Sequence, residues 1–522
     1  MKKLFLFITV LMIPALRPAV AQKEADPVVN QLVVVANNPG PVICKDIYGH
    51  FSEHLGACIY GGIWVGKGSD IPNTDGIRND VLFALRELQI PNLRWPGGCF
   101  ADTYHWKDGI GPQHKRASIV NTHWGGVTED NSFGTHEFMR LTELLGCEAY
   151  INGNVGSGTV QEMAEWVEYL TSDSDSPMTR LRKEYGREDP WKVRYFAIGN
   201  ENWGCGGNMT DEYYASVMRR FSTYLNNYGE NMLYRVACGP YDYNFAWTET
   251  LMKDEATRGR FQGLSIHYYS LVDGWNNKGS ATGFGEREWF RTLSANLQMD
   301  PIIKGHKAIM DRYDPLKIKG LVVDEWGNWF DVEPATNPGF LYQQNTLRDA
   351  LSAAVHLNIF NVHADRVKVA NLAQTVNVLQ SVILTRDDKM ILTPTYHVFR
   401  MFRVHQDARL LSTDLRCEEY TFEGNSIPAI SASASADIRG RVNISLANLN
   451  PGKEISLACP VIGETFSSVT GEILTSDAIN SHNTFSEPEK VKPEPFSDFR
   501  YKDGVLTVRL PSKSVVVLEL SK

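Results

Sequence analysis

Between about residues 47 and 405, short apolar runs alternate with longer stretches whose apolar residues recur at spacings of three and four. The short runs suit buried strands, and the longer ones suit helices with a single apolar face. Strands are expected at 47–51, 91–95, 148–152, 193–198, 235–239, 263–267, 320–324 and 366–370. Helices are expected between them, most clearly at 80–88, 134–145, 211–228 and 345–360, with 394–405 closing the series. Eight strands alternating with helices predict an α/β fold, a closed (β/α)8 barrel.

The pattern changes after about residue 404. Alternating strands separated by Ser, Thr, Gly and Asn turns, as at 438–447 and 505–520, replace the helical period. This predicts a C-terminal antiparallel β-sandwich of roughly 120 residues, near the usual size of such domains. A lone strand at 31–36 precedes the barrel and is expected to join the sandwich. The expected division is a signal peptide at 1–21, the N-terminal strand segment at 22–46, the barrel at 47–405 and the sandwich at 406–522. There is no internal repeat or low-complexity linker, so the two domains are expected to pack together.

Length and charge narrow the function. The 522 residues exceed what one core supports, and the net charge of −9 leaves no basic surface for nucleic acid. Neutral substrates fit such a chain. Lys2 and Lys3, the apolar run from Leu4 to Leu16, and Ala19-Val20-Ala21 before Gln22 have the order of an export signal, so a periplasmic or extracellular protein is expected. No run is long enough to span a membrane. The eight cysteines have no framework spacing, and no Cys/His group has the close pairing of a structural zinc site. Cys99 stands apart, because the Gly97-Gly98-Cys99 loop after a strand can expose it to a pocket.

Two acids carry the candidate chemistry. Glu201 follows the strand at 193–198, and Glu325 follows 321–323, where barrel strands emerge into the loops that hold catalysts. The roughly 120 residues between them match about three βα units of ~40 residues, which gives strands four and seven. Paired carboxylates across a barrel mouth are the minimum machinery for glycosidic cleavage. An isolated Asn200-Glu201 would read as a helix cap; the strand end and the following Gly-rich loop argue otherwise. Asp324 competes with Glu325, since neighbouring residues on a regular strand face opposite ways. His267 and Tyr269 share a face and can both reach the acids, or else simply fill the barrel.

Several motifs occur in order along the chain: Ile-Tyr-Gly-His-Phe-Ser-Glu-His-Leu-Gly from Ile47, Pro-Asn-Leu-Arg-Trp-Pro-Gly-Gly-Cys-Phe from Pro91, and the segments 199–203, 266–269 and 323–329. Together they resemble glycoside hydrolase family 51, the α-L-arabinofuranosidases, over barrel and sandwich alike. The resemblance implies a retaining, exo-acting enzyme on arabinofuranosyl-containing saccharides, with Glu201 as acid/base and Glu325 as nucleophile. It leaves Asp324 a structural acid. Glu53, Cys99, Asn200 and Gln374 match positions that bind sugar hydroxyls, and Trp329 a pocket-wall aromatic. Tyr269 resembles the residue that hydrogen-bonds the nucleophile, and His267 the one beside the acid/base. His123 and Trp124 have no clear match and are placed on the aglycone side. No cofactor or metal is implied, and assembly into a homo-oligomer is. The readings set against this are an endo-acting β-glycanase on the same barrel and a catalytically silent carbohydrate-binding protein.

Overall fold

The computed structural model describes Met1 and residues 30–522. Eight parallel strands close into a barrel: β1 (Gly49–Phe51), β2 (Asn92–Trp95), β3 (Glu148–Gly153), β4 (Tyr195–Ile198), β5 (Tyr234–Ala237), β6 (Gly263–Ser270), β7 (Gly320–Asn328) and β8 (Val367–Ala373). They pair in sequence order, and β8 returns to β1 through Asn371 opposite Gly49. All eight expected strands are present. Val236, Val322 and Val369 fill the lower barrel with Tyr150 and Tyr195, the tyrosine hydroxyls donating to Asp324 and Asp46.

Three strands run three or more residues past their expected ends. β6, β7 and β8 continue to Ser270, Asn328 and Ala373, so His267, Tyr269 and Glu325 sit within strands and inherit their rigidity. β7 carries one extra residue relative to both neighbours. Ser265 lies opposite Val322 but His267 opposite Glu325, and on the other side Val323 pairs with Ala370 but Trp326 with Leu372. Such a bulge re-aims side chains. Here it turns Asp324 and Glu325 both toward the interior, where alternation on a regular strand would have admitted one.

The expected sandwich is a single hydrogen-bonded sheet of ten strands. All of its pairings are antiparallel except one: the N-terminal strand Gln31–Val42 runs antiparallel to Arg409–Arg416 and parallel to Ile455–Ile462. The helix Leu347–Val362, between β7 and β8 in the chain, lies against this sheet and is buried along almost its whole length. Its Asn358 amide donates to Ser431 Oγ at 3.2 Å and accepts from Ser433 and Ser445 at 2.8 and 2.7 Å. A helix buried on every side needs polar residues only where they find such partners. Among the described residues, no helix is long and apolar enough to cross a membrane.

Candidate active site

Glu201 stands just beyond β4 on a sharp turn. Gly199 has φ +86°, and a Cβ there would come within 2.1 Å of Asn202 Oδ1, so only glycine fits. Glu201 itself has φ +41°, a left-handed conformation uncommon for a long side chain. The turn is held by Asp102, which accepts from the backbone N–H of Asn200 at 2.9 Å and of Val155 and Gly156 at 2.7 Å each. Burial pushes the Asp102 carboxyl up to about 7, against those three hydrogen bonds.

Arg94, fully buried on β2, binds the other acid. Its Nη1 donates to Glu325 Oε1 at 2.8 Å, its Nη2 to Asn200 Oδ1 at 2.6 Å, and its Nε lies 3.7 Å from Asp324 Oδ2. Tyr269 donates its hydroxyl to Glu325 Oε2 at 2.9 Å. The nucleophile candidate is thus gripped on both oxygens, which fixes its direction.

His267 bridges the acids. Nδ1 faces Glu201 Oε1 at 2.9 Å and Nε2 faces Asp324 Oδ1 at 3.1 Å, with Glu325 Oε2 at 3.5 Å. Burial alone would lower its pKa, but the charge of Glu325 and the bonds to Asp324 and Glu201 outweigh it and push the ring up to about 10. Asp324 moves the other way. Burial works to raise it, yet Arg94 and His267 hold it well below the usual carboxylate range. Glu201 is raised, chiefly by burial and further by Glu325, with His267 opposing. An acid shifted in that direction keeps its proton nearer neutrality, as proton donation requires. Oxygens of Glu201 and Glu325 and a nitrogen of His267 lie within 4.8 Å of one another.

Above the carboxylates lies a small pocket lined by Glu53, Cys99, Trp124, Glu201, Tyr269, Glu325, Trp329 and Gln374, and narrowed by Leu55, Leu341 and Leu379. Gly98 forms its floor, where a Cβ would meet Glu325 Oε1 at 2.9 Å. Glu53 accepts from Gln374 Nε2 at 2.6 Å, Trp124 Nε1 at 2.9 Å and Phe100 N at 3.1 Å. Burial, aided by the charge of Glu325, pushes Glu53 up to about 8, which favours its protonated form near neutrality. At the rim, the rings of Trp203, Tyr241, Trp275 and Trp329 follow one another at centroid separations of 5.2–6.0 Å.

Of the residues singled out in the sequence, Glu53, Cys99, Trp124, Glu201, Tyr269, Glu325, Trp329 and Gln374 line this pocket; Asn200, Asp324 and His267 adjoin it through Arg94 and Glu201, and His123 is not among its lining. Trp124 lines the pocket and donates its Nε1 to Glu53. Sequence reading missed Arg94, Asp102, Leu341 and Leu379. Arg94 had a signal, being a lone cation inside the apolar strand Pro-Asn-Leu-Arg-Trp, since buried arginines demand partners. Cys99 is half of a disulfide with Cys205, on the loop after β4, and the other six cysteines are free.

Two family models match the chain: "Alpha-L-arabinofuranosidase 1 domain" over residues 84–234 and "Alpha-L-arabinofuranosidase C-terminal domain" over 324–514. An intracellular exo-α-L-arabinofuranosidase of Bacteroides ovatus is 51% identical over 502 residues, 96% of each chain. Among solved structures, the GH51 arabinofuranosidase of Xanthomonas axonopodis pv. citri superposes with a TM-score of 0.93 at 48% identity, covering 95% of this chain and 100% of that one. The α-L-arabinofuranosidase of Thermotoga maritima, in complex with arabinose, gives 0.83 at 28% identity, covering 94% and 99%. These likenesses correct one expectation. The Bacteroides relative is named intracellular, which points away from export, and the Lys2–Gln22 stretch that suggested a signal lies outside the described residues. A charged start, a short apolar run and the small residues Ala19-Val20-Ala21 are local sequence features, and they carried that expectation.

Proposed function

Because the chain belongs to the α-L-arabinofuranosidases of glycoside hydrolase family 51, we propose that it releases terminal arabinofuranose by double displacement, with Glu325 as nucleophile and Glu201 as acid/base. Glu325, aimed by Arg94 and Tyr269, attacks the anomeric carbon as Glu201 protonates the departing oxygen. Glu201 then takes a proton from water, which cleaves the glycosyl-enzyme. Asn200, whose Oδ1 is held by Arg94, keeps its Nδ2 for a sugar hydroxyl, with only a long 3.9 Å approach to Cys205 Sγ. Protonated Glu53 and Gln374 serve the other hydroxyls, Trp329 walls the sugar, and the aromatic rim takes the remainder of the saccharide. The small pocket suits one terminal residue. The relative's name supports action inside the cell, and the family likeness supports assembly of several copies, which sedimentation would count.

One observation carries the mechanism: oxygens of the two acids come within 4.8 Å. That nearest approach suits the separation of about 5–5.5 Å in retaining enzymes better than the ~6.5–9.5 Å gap that admits a water in inverting ones. Proton NMR of the first-formed sugar should show the retained anomer, and the inverted one would overturn the assignment. A panel of aryl glycosides should place α-L-arabinofuranoside far ahead of β-xyloside and β-glucoside. Preference for a β-glucan polymer would instead favour an endo-acting glycanase.

A further inference from the structure

The two oxygens of Glu201 point to different neighbours. Oε1 meets His267 Nδ1, whereas Oε2 lies 3.6 Å from Cys205 Sγ and 4.0 Å from Cys99 Sγ. A disulfide sulfur has no proton, so these approaches are not hydrogen bonds. Both cysteines are partly exposed, one of them in the pocket wall, and a small reductant can reach them. Cutting the bond would leave two thiols and a carboxylate around one point.

We propose that, once reduced, Cys99, Cys205 and Glu201 form a site for a thiophilic divalent cation of the zinc class, whose binding silences the enzyme. The silencing rests on the acid/base reading of Glu201; the site itself does not. Tetrahedral zinc at about 2.3 Å from sulfur and 2.0–2.2 Å from oxygen sets sulfur–oxygen gaps of about 3.5 Å and a sulfur–sulfur gap of about 3.8 Å. The first gaps exist already, and only the sulfurs have to part. Two thiolates select a soft cation over magnesium or calcium. The fourth position opens on the pocket, where water or a sugar hydroxyl can complete the shell. Ligation through Oε2 leaves the His267 contact on Oε1 intact. Among the described residues, none of the six free cysteines joins such a group.

The chemistry balances. Two thiols of a small reductant form their own disulfide, giving two electrons and two protons to Cys99 and Cys205. The cation then displaces a proton from each thiol and the one on Glu201, and forms two metal–sulfur bonds and one metal–oxygen bond.

The full-length enzyme is tested with Zn2+ and, for its visible spectrum, Co2+. One sample stays oxidised; another is reduced with a phosphine, whose oxide cannot compete for metal, and desalted. Only the reduced enzyme should bind one tight equivalent, with the charge-transfer band of thiolate–cobalt ligation. Its arabinofuranosidase activity should fall ~10²-fold or more, the usual loss when a general acid is removed, and recover on chelation. Cys205→Ser, reduced alike, should lose the tight equivalent and the band. Equal binding by oxidised and reduced enzyme, or by Cys205→Ser, would overturn the site, as would no binding at all. Binding with undiminished activity would uphold the site and overturn the role of Glu201.

Discussion

Replacing Glu201 by alanine exposes the mechanism most directly, because the two acids then predict opposite dependences on the leaving group. For an alkyl or sugar aglycone, the oxygen must be protonated as the bond breaks, and general acid catalysis contributes ~10²–10⁴-fold. The site argues for the upper part of that range. His267, the proton carrier hydrogen-bonded to Glu201, is pushed up to about 10 and gives up its proton reluctantly near neutrality. A loss of ~10³–10⁴ in kcat/KM is therefore expected, about 4–5.5 kcal/mol in the barrier. Dinitrophenyl arabinofuranoside needs no such help, so its first step should be nearly unimpaired and glycosyl-enzyme should accumulate as a burst. The space left by the side chain opens on the pocket, so added azide can enter it, needs no base, and should give the azide of retained configuration. Stopped-flow release of dinitrophenolate and NMR of the product provide the assay. Equal losses for both leaving groups, or an inverted azide, would refute the assignment of Glu201.

Other outcomes follow from the neighbours. Arg94→Met leaves Asp324 and Glu325 buried without their cation, at a cost of roughly 3–5 kcal/mol. Asp324 is held below its ordinary 3.8 in the folded protein, so the stabilisation it draws from Arg94 is present above that range and lost as pH falls; thermal melts should show the gap between wild type and variant widest near neutrality and narrowing as pH falls below 3.8. Glu53 is raised from 4.5 to about 8, so its folded form gains a proton and its stabilisation is full below about 4.5 and lost as pH rises through about 8. Glu53→Gln, which mimics the protonated state, should flatten the melting temperature across that window while keeping kcat/KM near neutrality within about tenfold; unchanged pH dependence of melting would show that Glu53 is not the group responsible. Asn358→Ala strands the Ser431, Ser433 and Ser445 hydroxyls beneath the sheet and should cost about 1.5–3 kcal/mol, read by denaturant unfolding, with the site's kinetics unaltered.

The barrel was legible because burial on both faces makes each strand a short apolar run, and all eight stood out. Their ends were not. β6, β7 and β8 continue through His267–Ser270, Trp326–Asn328 and Asn371–Ala373, where polar side chains such as Asn328 and Asn371 find partners on the helix Leu347–Val362 and on the neighbouring strand, which the local pattern does not reveal. The bulge in β7 was hidden for the same reason: register is a relation among three strands, and Asp324 beside Glu325 reads locally as simple alternation. Helix 347–362 was recognised, yet its apolar spacing suggested one buried face rather than burial all round, since the sheet covering it lies much later in the chain. Arg94 and the Cys99–Cys205 bond depend on partners 231 and 106 residues away. Glu201 and Glu325 were readable as candidates because motif and expected strand end coincided there, although β7 runs on past Glu325 to Asn328.

The N-terminal strand Gln31–Val42 has consequences for how the chain is made. It emerges from the ribosome before any barrel strand, but its partners Arg409–Arg416 and Ile455–Ile462 are not synthesised until the whole barrel has been. At ~5–20 residues per second, the interval is on the order of tens of seconds. Throughout it, a segment carrying Leu32, Val34 and Val35 has two unpaired edges, the situation that invites pairing with another nascent chain. The helix Leu347–Val362 likewise waits for the sheet that covers it. Crowded polysomes, rather than the finished enzyme, are thus where this architecture is most vulnerable to aggregation, and holding the first strand until release is the service a chaperone would render it.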